Sequence, residues 1–206
     1  MAQINIEPII QSLQFAQYLQ TLQHAWNLEQ EKRHAFWKNI DETQKAEFIN
    51  GEGIYDSPVY GRHWMASTNM LRYIIPHVMD NKLGRVAVEK VMIRCSRNDY
   101  EPDICFWKTE KAKEFKQKQS AFPPPDFIIE ILSQSTEYKD RGIKFQDYAL
   151  HGVAEYWLVD TENQTVEQYF LKEDSYELHL KLNQGYLESP TIAEFRIAIS
   201  DIFEEA

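Results

Sequence analysis

The chain has 206 residues, 43% hydrophobic, 26% charged and 13% aromatic, which suits one domain with a full core and excludes a disordered chain. No apolar run approaches the roughly 20 residues needed to cross a bilayer, so no membrane partnership through a helix is expected. The net charge of −10 argues against a polyanionic partner, but from Arg85 to Asp160 12 basic residues face 13 acidic ones, and after Asp160 only 3 face 10, so the acidity gathers in the last third.

The opening segment, MAQINIEPIIQSLQ, has no basic head before an apolar stretch. No leader is expected, and the expected location is cytoplasmic. Cys95 and Cys105 lack metal-type spacing and read as reduced core thiols. Residues 8–38 carry Ile9, Leu13, Tyr18, Leu19 and Leu22 at helical spacing, with a break expected near Asn27. They read as a packing layer or dimer arm. Asp41 and Gln44 have the spacing of a capping box and predict a short helix. The glycines of Asn50-Gly51-Glu52-Gly53 predict a tight turn, in which Glu52 reads first as a turn residue. A helix is predicted over Gly61–Asp80, kinked or ended by Pro76, with His63 as an ordinary surface or core residue.

Arg85–Cys95 and Glu101–Trp107 predict a hairpin turning at Asn98-Asp99. Val86, Val88, Lys90 and Met92 share one face; Ala87, Val91 and Ile93 share the other. Asp103 opens the second strand on a face with Cys105 and Trp107, after a proline whose missing donor is tolerated there. Lys108–Ser120 is a polar excursion with five lysines and two glutamates. It joins the strand of Asp103 to the strand of Glu130. After three prolines, Asp126–Leu132 is a short apolar strand with Phe127, Ile129 and Ile131 on one face and Ile128, Glu130 and Leu132 on the other. Glu130 is an acid where the strand wants to be dry, so it must be protonated, paired or bound to a cation. Ser133–Thr136 caps a helix to about Leu150, packed through Tyr138, Gly142, Phe145 and Ala149 and stopped by Gly152. Ala154–Asp160 is another buried strand, and Thr165–Leu171 with Tyr176–Lys181 forms a hairpin turning near Glu173-Asp174. The absence of repeats or linkers predicts a single domain.

Asp103 and Glu130, on strands adjacent in chain order, can come within reach of one ion. Two carboxylates so placed repel unless a cation neutralises them, and Mg²⁺ suits such a pair. Such an ion lowers the pKa of bound water and stabilises a phosphoryl oxygen. A lysine is then wanted to position water or offset phosphate charge, and Lys144 is the nearest one in sequence. The bland alternatives stand beside this reading. Lys144 has the spacing to pair with Asp140 on one helix, and Glu130 could pair with Lys90 or another internal cation.

Together, Pro102-Asp103, Pro125-Asp126 through Glu130 to Ser133, Lys139 through Lys144 to Tyr148, and Gly152 through Glu155-Tyr156-Trp157 to Asp160 resemble the Uma family of restriction endonucleases, within the PD-(D/E)XK nuclease superfamily. The resemblance is specific over about residues 100–160 and looser from Asn50 onwards. The first 40 residues fall outside it, which divides the chain into an N-terminal helical extension, 1–40, and a restriction-endonuclease-like domain, 41–206. It implies an α/β fold, a central mixed sheet flanked by helices with an α-β-β-β-α-β core order and extra N-terminal helices. It makes Asp103 and Glu130 metal ligands, with the Ile131 carbonyl as third ligand, Glu52 as a supporting acid and Lys144 as the lysine. Leu132 stands where the superfamily motif has its lysine. The resemblance further implies Mg²⁺, with Mn²⁺ as substitute, and DNA as substrate; a symmetric homodimer would suit cutting both strands. Gln146 and Tyr148 are candidates to line the cleft. The alternatives are a catalytically silent nucleic-acid-binding or regulatory module on the same fold, and an interaction protein assembled through its N-terminal helices.

Overall fold

The structure is a computed structural model describing residues 5–41, 43–55 and 57–204. The first four residues of the opening segment and Glu205 of the acidic tail lie outside them. In chain order the helices are α1 Glu7–Ile10, α2 Phe15–Asn39, α3 Gly61–Asp80, α4 Thr109–Ala112, α5 Glu137–Asp140, α6 Ile143–Leu150 and α7 Ile199–Ile202. The strands are β1 Ala46–Ile49, β2 Glu52–Tyr55, β3 Gly84–Val88, β4 Met92–Arg94, β5 Asp99–Tyr100, β6 Ile104–Lys108, β7 Ala121–Phe122, β8 Phe127–Ile131, β9 Glu155–Asp160, β10 Thr165–Lys172, β11 Ser175–Leu182, β12 Tyr186–Ser189 and β13 Phe195–Ala198.

The central sheet is mixed, as expected, in the order β11-β10-β9-β8-β6-β3 with β8 and β9 parallel. Its two faces follow the alternation read from β8. Phe127, Ile129 and Ile131 join Trp157, the apolar stripe of α3, α7 and the β12–β13 hairpin in one core. Ile128 and Leu132 join Cys105, Trp107, Tyr148 and Tyr156 in a second core on the opposite face. Both cysteines are free and buried there. The β10–β11 hairpin forms as expected, with Glu173 at positive φ in its turn.

A second sheet, β2-β1-β5-β4-β7, lies against the face that carries Glu130, where Ile49, Ile93 and Tyr100 enter the core. It arises because the hairpin expected from Arg85 to Trp107 divides between two sheets. Glu89 and Lys90 take positive φ, which breaks the pleat, so β3 pairs with β6 while β4 pairs with β5. Asp99 is a strand residue rather than a turn residue, with its carboxylate held by Arg33 at 2.6 and 2.7 Å. That pair and the buried Phe36 fasten the end of α2 to the second sheet.

Other local expectations change. The N-terminal break falls between α1 and α2, and α2 runs through Asn27, whose side chain accepts a hydrogen bond from Gln23 one turn earlier. Asp41 caps a turn, accepting from the Thr43 amide, and β1 follows instead of a helix. α3 occupies its predicted span and continues past Pro76. The helix after Glu130 is two pieces, because the α5 chain folds so close to Gly142 that a Cβ there would lie 2.6 Å from the Tyr138 carbonyl oxygen. Tyr138 is 72% exposed rather than packed. At the end of α6, Gly152 at φ +75° lets Val153 N–H reach the Tyr148 carbonyl, the closure expected of a C′ glycine.

Candidate functional site

The site lies at the end of the central sheet where β6 begins and β8 ends. β6 and β8 are antiparallel with Ile104 opposite Ile129, so the next residues along, Asp103 and Glu130, face each other and project to the same side. Asp103 N–H donates to Glu130 Oε2 at 3.2 Å, and Ile131 N–H donates to Asp103 Oδ2 at 2.9 Å. In a strand a residue's N–H and C=O point to the same edge. The Ile131 carbonyl is thereby turned toward Asp103, while Leu132 N–H pairs with Val159 on the other side. Asp103, Glu130 and Ile131 all line one cavity of about 290 Å³.

The acids are buried, 4% and 1% exposed, and each is neutralised from outside its own strand. Lys45, just ahead of β1, places Nζ 2.7 Å from Asp103 Oδ1. His63, in the first turn of α3, sets Nε2 3.1 Å from Asp103 Oδ2. Glu130 Oε1 accepts from Lys144 Nζ at 3.1 Å and from the Tyr148 hydroxyl at 2.9 Å. Lys144 in turn lies 2.9 Å from Glu47 Oε1 and 3.1 Å from Asp140 Oδ1. The alternatives weighed for Lys144 therefore coexist: it pairs with Asp140 along the chain and with Glu130 across the fold.

These contacts pull the carboxyls apart in acidity. Burial alone would raise both. Around Asp103 the Lys45 ammonium and His63 more than reverse that and hold the carboxyl well below the usual range. Around Glu130 burial prevails over Lys144, with repulsion from Asp140 and Asp103 added, and the carboxyl is pushed up to about 8. Burial likewise raises Asp140, and the carboxylates around Lys144 raise its ammonium despite burial.

Asp103, Glu130, Ile131, Lys144 and Tyr148 are thus gathered in one place. Glu52 is not among them. It is exposed at the start of β2, paired in register with Ile49 across the Asn50-Gly51 turn. The acid that β1 does deliver is Glu47, fully buried. Gln146 is exposed on the outer side of α6. Lys90 is also exposed, and Glu130 takes Lys144 as its cation. The lysine-rich excursion joins the far ends of β6 and β8, away from the acids, where Lys111 pairs with Asp126. The sequence reading passes over Lys45 and Glu47, and takes His63, here paired with Asp103, for an ordinary surface or core residue. Glu47 carries the signal that singled out Glu130, an acid inside the apolar run Ala-Glu-Phe-Ile.

A family model described as "Putative restriction endonuclease", Uma2, matches residues 29–200. The chain belongs to the Uma2 family. The Uma2 match takes in every residue of the cluster just described. The fold is shared with a solved structure from Anabaena variabilis, described as a "putative nuclease belonging to DUF820". The two are 22% identical with a TM-score of 0.70 over 82% of this chain and 94% of that one. No curated protein matches the chain in sequence. No helix among the described residues is long and apolar enough to cross a membrane.

The donor set fits a hard divalent cation, since two carboxylates line one cavity with the Ile131 backbone beside them. Each acid also keeps an oxygen to offer. Among the described residues, Asp103 Oδ2 and Glu130 Oε1 are each fixed by two donors, while Asp103 Oδ1 has Lys45 alone and Glu130 Oε2 one amide. Cys95, Asp147 and His151 also lie within 4.8 Å of one another. That group fits a metal poorly. His151 Nε2 already accepts from Ser96 N–H and Nδ1 donates to the Asp147 carbonyl, while burial raises the Cys95 thiol away from thiolate. Its role is to tie the β4–β5 turn to α6, as do the bonds from Asn98 and Tyr100 to Asp147.

Proposed function

We propose that this Uma2 protein is a Mg²⁺-dependent endonuclease that hydrolyses DNA phosphodiester bonds, with Mn²⁺ able to substitute. The observation that carries the reading is the pairing of Asp103 and Glu130 across β6 and β8, side chains together on the floor of one cavity. Asp103 through Oδ1, Glu130 through Oε2 and Ile131 through its carbonyl would hold the ion. When bound, it would activate a water and stabilise charge on a phosphoryl oxygen.

The chain's own groups prepare that site. His63 and the Ile131 amide orient Asp103; Lys144 and Tyr148 orient Glu130. Glu47 and Asp140 fix Lys144, so the cluster is rigid before substrate arrives. Glu47 supports the site through Lys144, whereas Glu52, expected as the supporting acid, is exposed. Two copies related by a two-fold axis would cut both strands, and the free buried thiols suit a reducing cytoplasm.

A second reading, a silent nucleic-acid-binding module, is favoured by one observation. Lys45 and Lys144 already pair with both acids without an ion. Supercoiled plasmid incubated with Mg²⁺ or Mn²⁺ separates the two. Nicking by the natural protein, abolished by Asp103→Asn and Glu130→Gln, is the expected result. Plasmid left intact by the natural protein, or cut equally by both variants, removes the hydrolytic reading.

A further inference from the structure

The site holds two buried lysines, and their surroundings differ. Lys144 is clamped by three carboxylates at 2.9–3.1 Å, and its side chain is 4% exposed. An ammonium held on three sides cannot turn toward a substrate without stranding Glu47, Glu130 and Asp140 in a dry interior. Among the described residues Lys45 has one carboxylate in ion-pair contact, Asp103 Oδ1 at 2.7 Å; its side chain is 19% exposed, and it lines the cavity from the segment just ahead of β1. The oxygen it occupies is the one that His63 and the Ile131 amide leave available.

We infer that Lys45 is the mobile cation of this site: it occupies Asp103 Oδ1 until a divalent ion takes that oxygen, and its released ammonium then binds the scissile phosphate. The inference rests on the nuclease reading and deepens it by moving the phosphate contact from Lys144 to Lys45. The chemistry is a cation exchange. Asp103 loses an ammonium and gains a metal ion, its other oxygen staying pinned by the same two donors. Lys45 would be repelled by an incoming ion, which adds to a repulsion from Lys144 that Asp103, Glu130 and Glu47 outweigh while the ion is absent. A flexible four-carbon stem carrying a compact charge suits capture of a phosphate oxygen at the cavity mouth. There Ser133, Ser135 and Thr136 supply further hydroxyls. Among the described residues lining the cavity, the remaining cation, Arg62, is paired with Glu162 at 3.3 Å.

The inference predicts effects of opposite sign, which a merely structural lysine would not give. In full-length Lys45→Met, Mn²⁺ titrated calorimetrically should bind roughly tenfold tighter, because a competing charge has gone from the ligand oxygen. Plasmid cleavage at saturating Mn²⁺ should nonetheless fall by roughly a hundredfold, the scale of losing one fixed donor to a transition-state oxyanion. Lys45→Arg, which keeps a charge on a long stem, should stay nearer the natural protein in both measurements and serves if Lys45→Met does not fold. Tighter Mn²⁺ binding with undiminished cleavage would overturn the phosphate role. Unchanged or weaker Mn²⁺ binding in a folded variant would overturn the exchange itself. A natural protein that binds no Mn²⁺ overturns this inference and the metal-dependent reading beneath it, an outcome distinct from either.

Discussion

Replacing Lys144 by methionine tests the electrostatic account of the cluster most directly. The substitution roughly preserves the aliphatic stem and removes one ammonium from among Glu47, Glu130 and Asp140, which are 0%, 1% and 2% exposed. Breaking a buried pair by removing one partner costs about 3–5 kcal/mol. With three carboxylates stranded, the upper end applies. In a chain of this size each kcal/mol lowers the melting temperature by about 2–4 °C, so a fall of roughly 10–20 °C is expected. The loss should also depend on pH. Glu130 already titrates near 8 and Asp140 is raised; without Lys144 both rise further, above the ordinary unfolded carboxyl value near 4. The folded variant then binds more protons than the unfolded chain, and its stability drops as pH rises. Urea denaturation at pH 5.5 and pH 8 reads this out, with the larger deficit expected at pH 8. Adding Glu47→Gln should recover part of it. A deficit below about 1 kcal/mol, or one equal at both pH values, would refute the view that Lys144 neutralises the cluster.

Two further outcomes follow from the same bookkeeping of buried charge. Asp99→Ala leaves the Arg33 guanidinium, 8% exposed, without its carboxylate, and should cost about 3–5 kcal/mol in a thermal melt, whereas Arg33→Met with Asp99→Leu should cost less. Glu167 is opposed by burial but held down to about 2 by Arg141, Tyr169 and Lys181, so its contribution is complete above the unfolded value near 4 and disappears as pH falls toward 2. Glu167→Gln should therefore be less stable than the natural protein at pH 7 by about 1–3 kcal/mol in urea denaturation, and the difference should shrink steadily as pH falls toward 2.

Much of the fold is legible because its signals are local. The β8 alternation assigns both faces of the central sheet, and Gly152 ends α6 where a left-handed residue is needed. The second sheet is not legible, and the reason is specific. Arg85–Cys95 reads as one strand because its alternation continues through Glu89 and Lys90. Positive φ at those two residues is not announced by either residue type. A glycine there would have signalled the break. The same limit applies to Asp99, where Asn-Asp reads as a turn until Arg33, 66 positions earlier, supplies a partner that keeps it buried. Gly142 misleads in the other direction, since a single glycine within a helical stripe reads as a packing residue until a nearby carbonyl leaves no space for a Cβ.

The cluster divides along the same line. Asp103, Glu130 and Lys144 are legible because two lie on neighbouring strands and the third on the helix that follows, within 42 residues of chain. Lys45, Glu47 and His63 arrive from β1 and α3, and only the packing of the second sheet and of the α3 N-terminus decides that they meet the acids. Glu52 and Glu47 show how narrow the margin is. Both are glutamates in one hairpin, and the tight turn at Asn50-Gly51 places one inside and the other in solvent. A carboxylate's chemistry follows from which cation reaches it. For Glu47 that cation is Lys144, 97 residues on, so the strength of the sequence signal at Glu130 lay in its neighbours rather than in the acid itself. An acid in an apolar strand announces that a partner is needed, and the tertiary fold chooses which one.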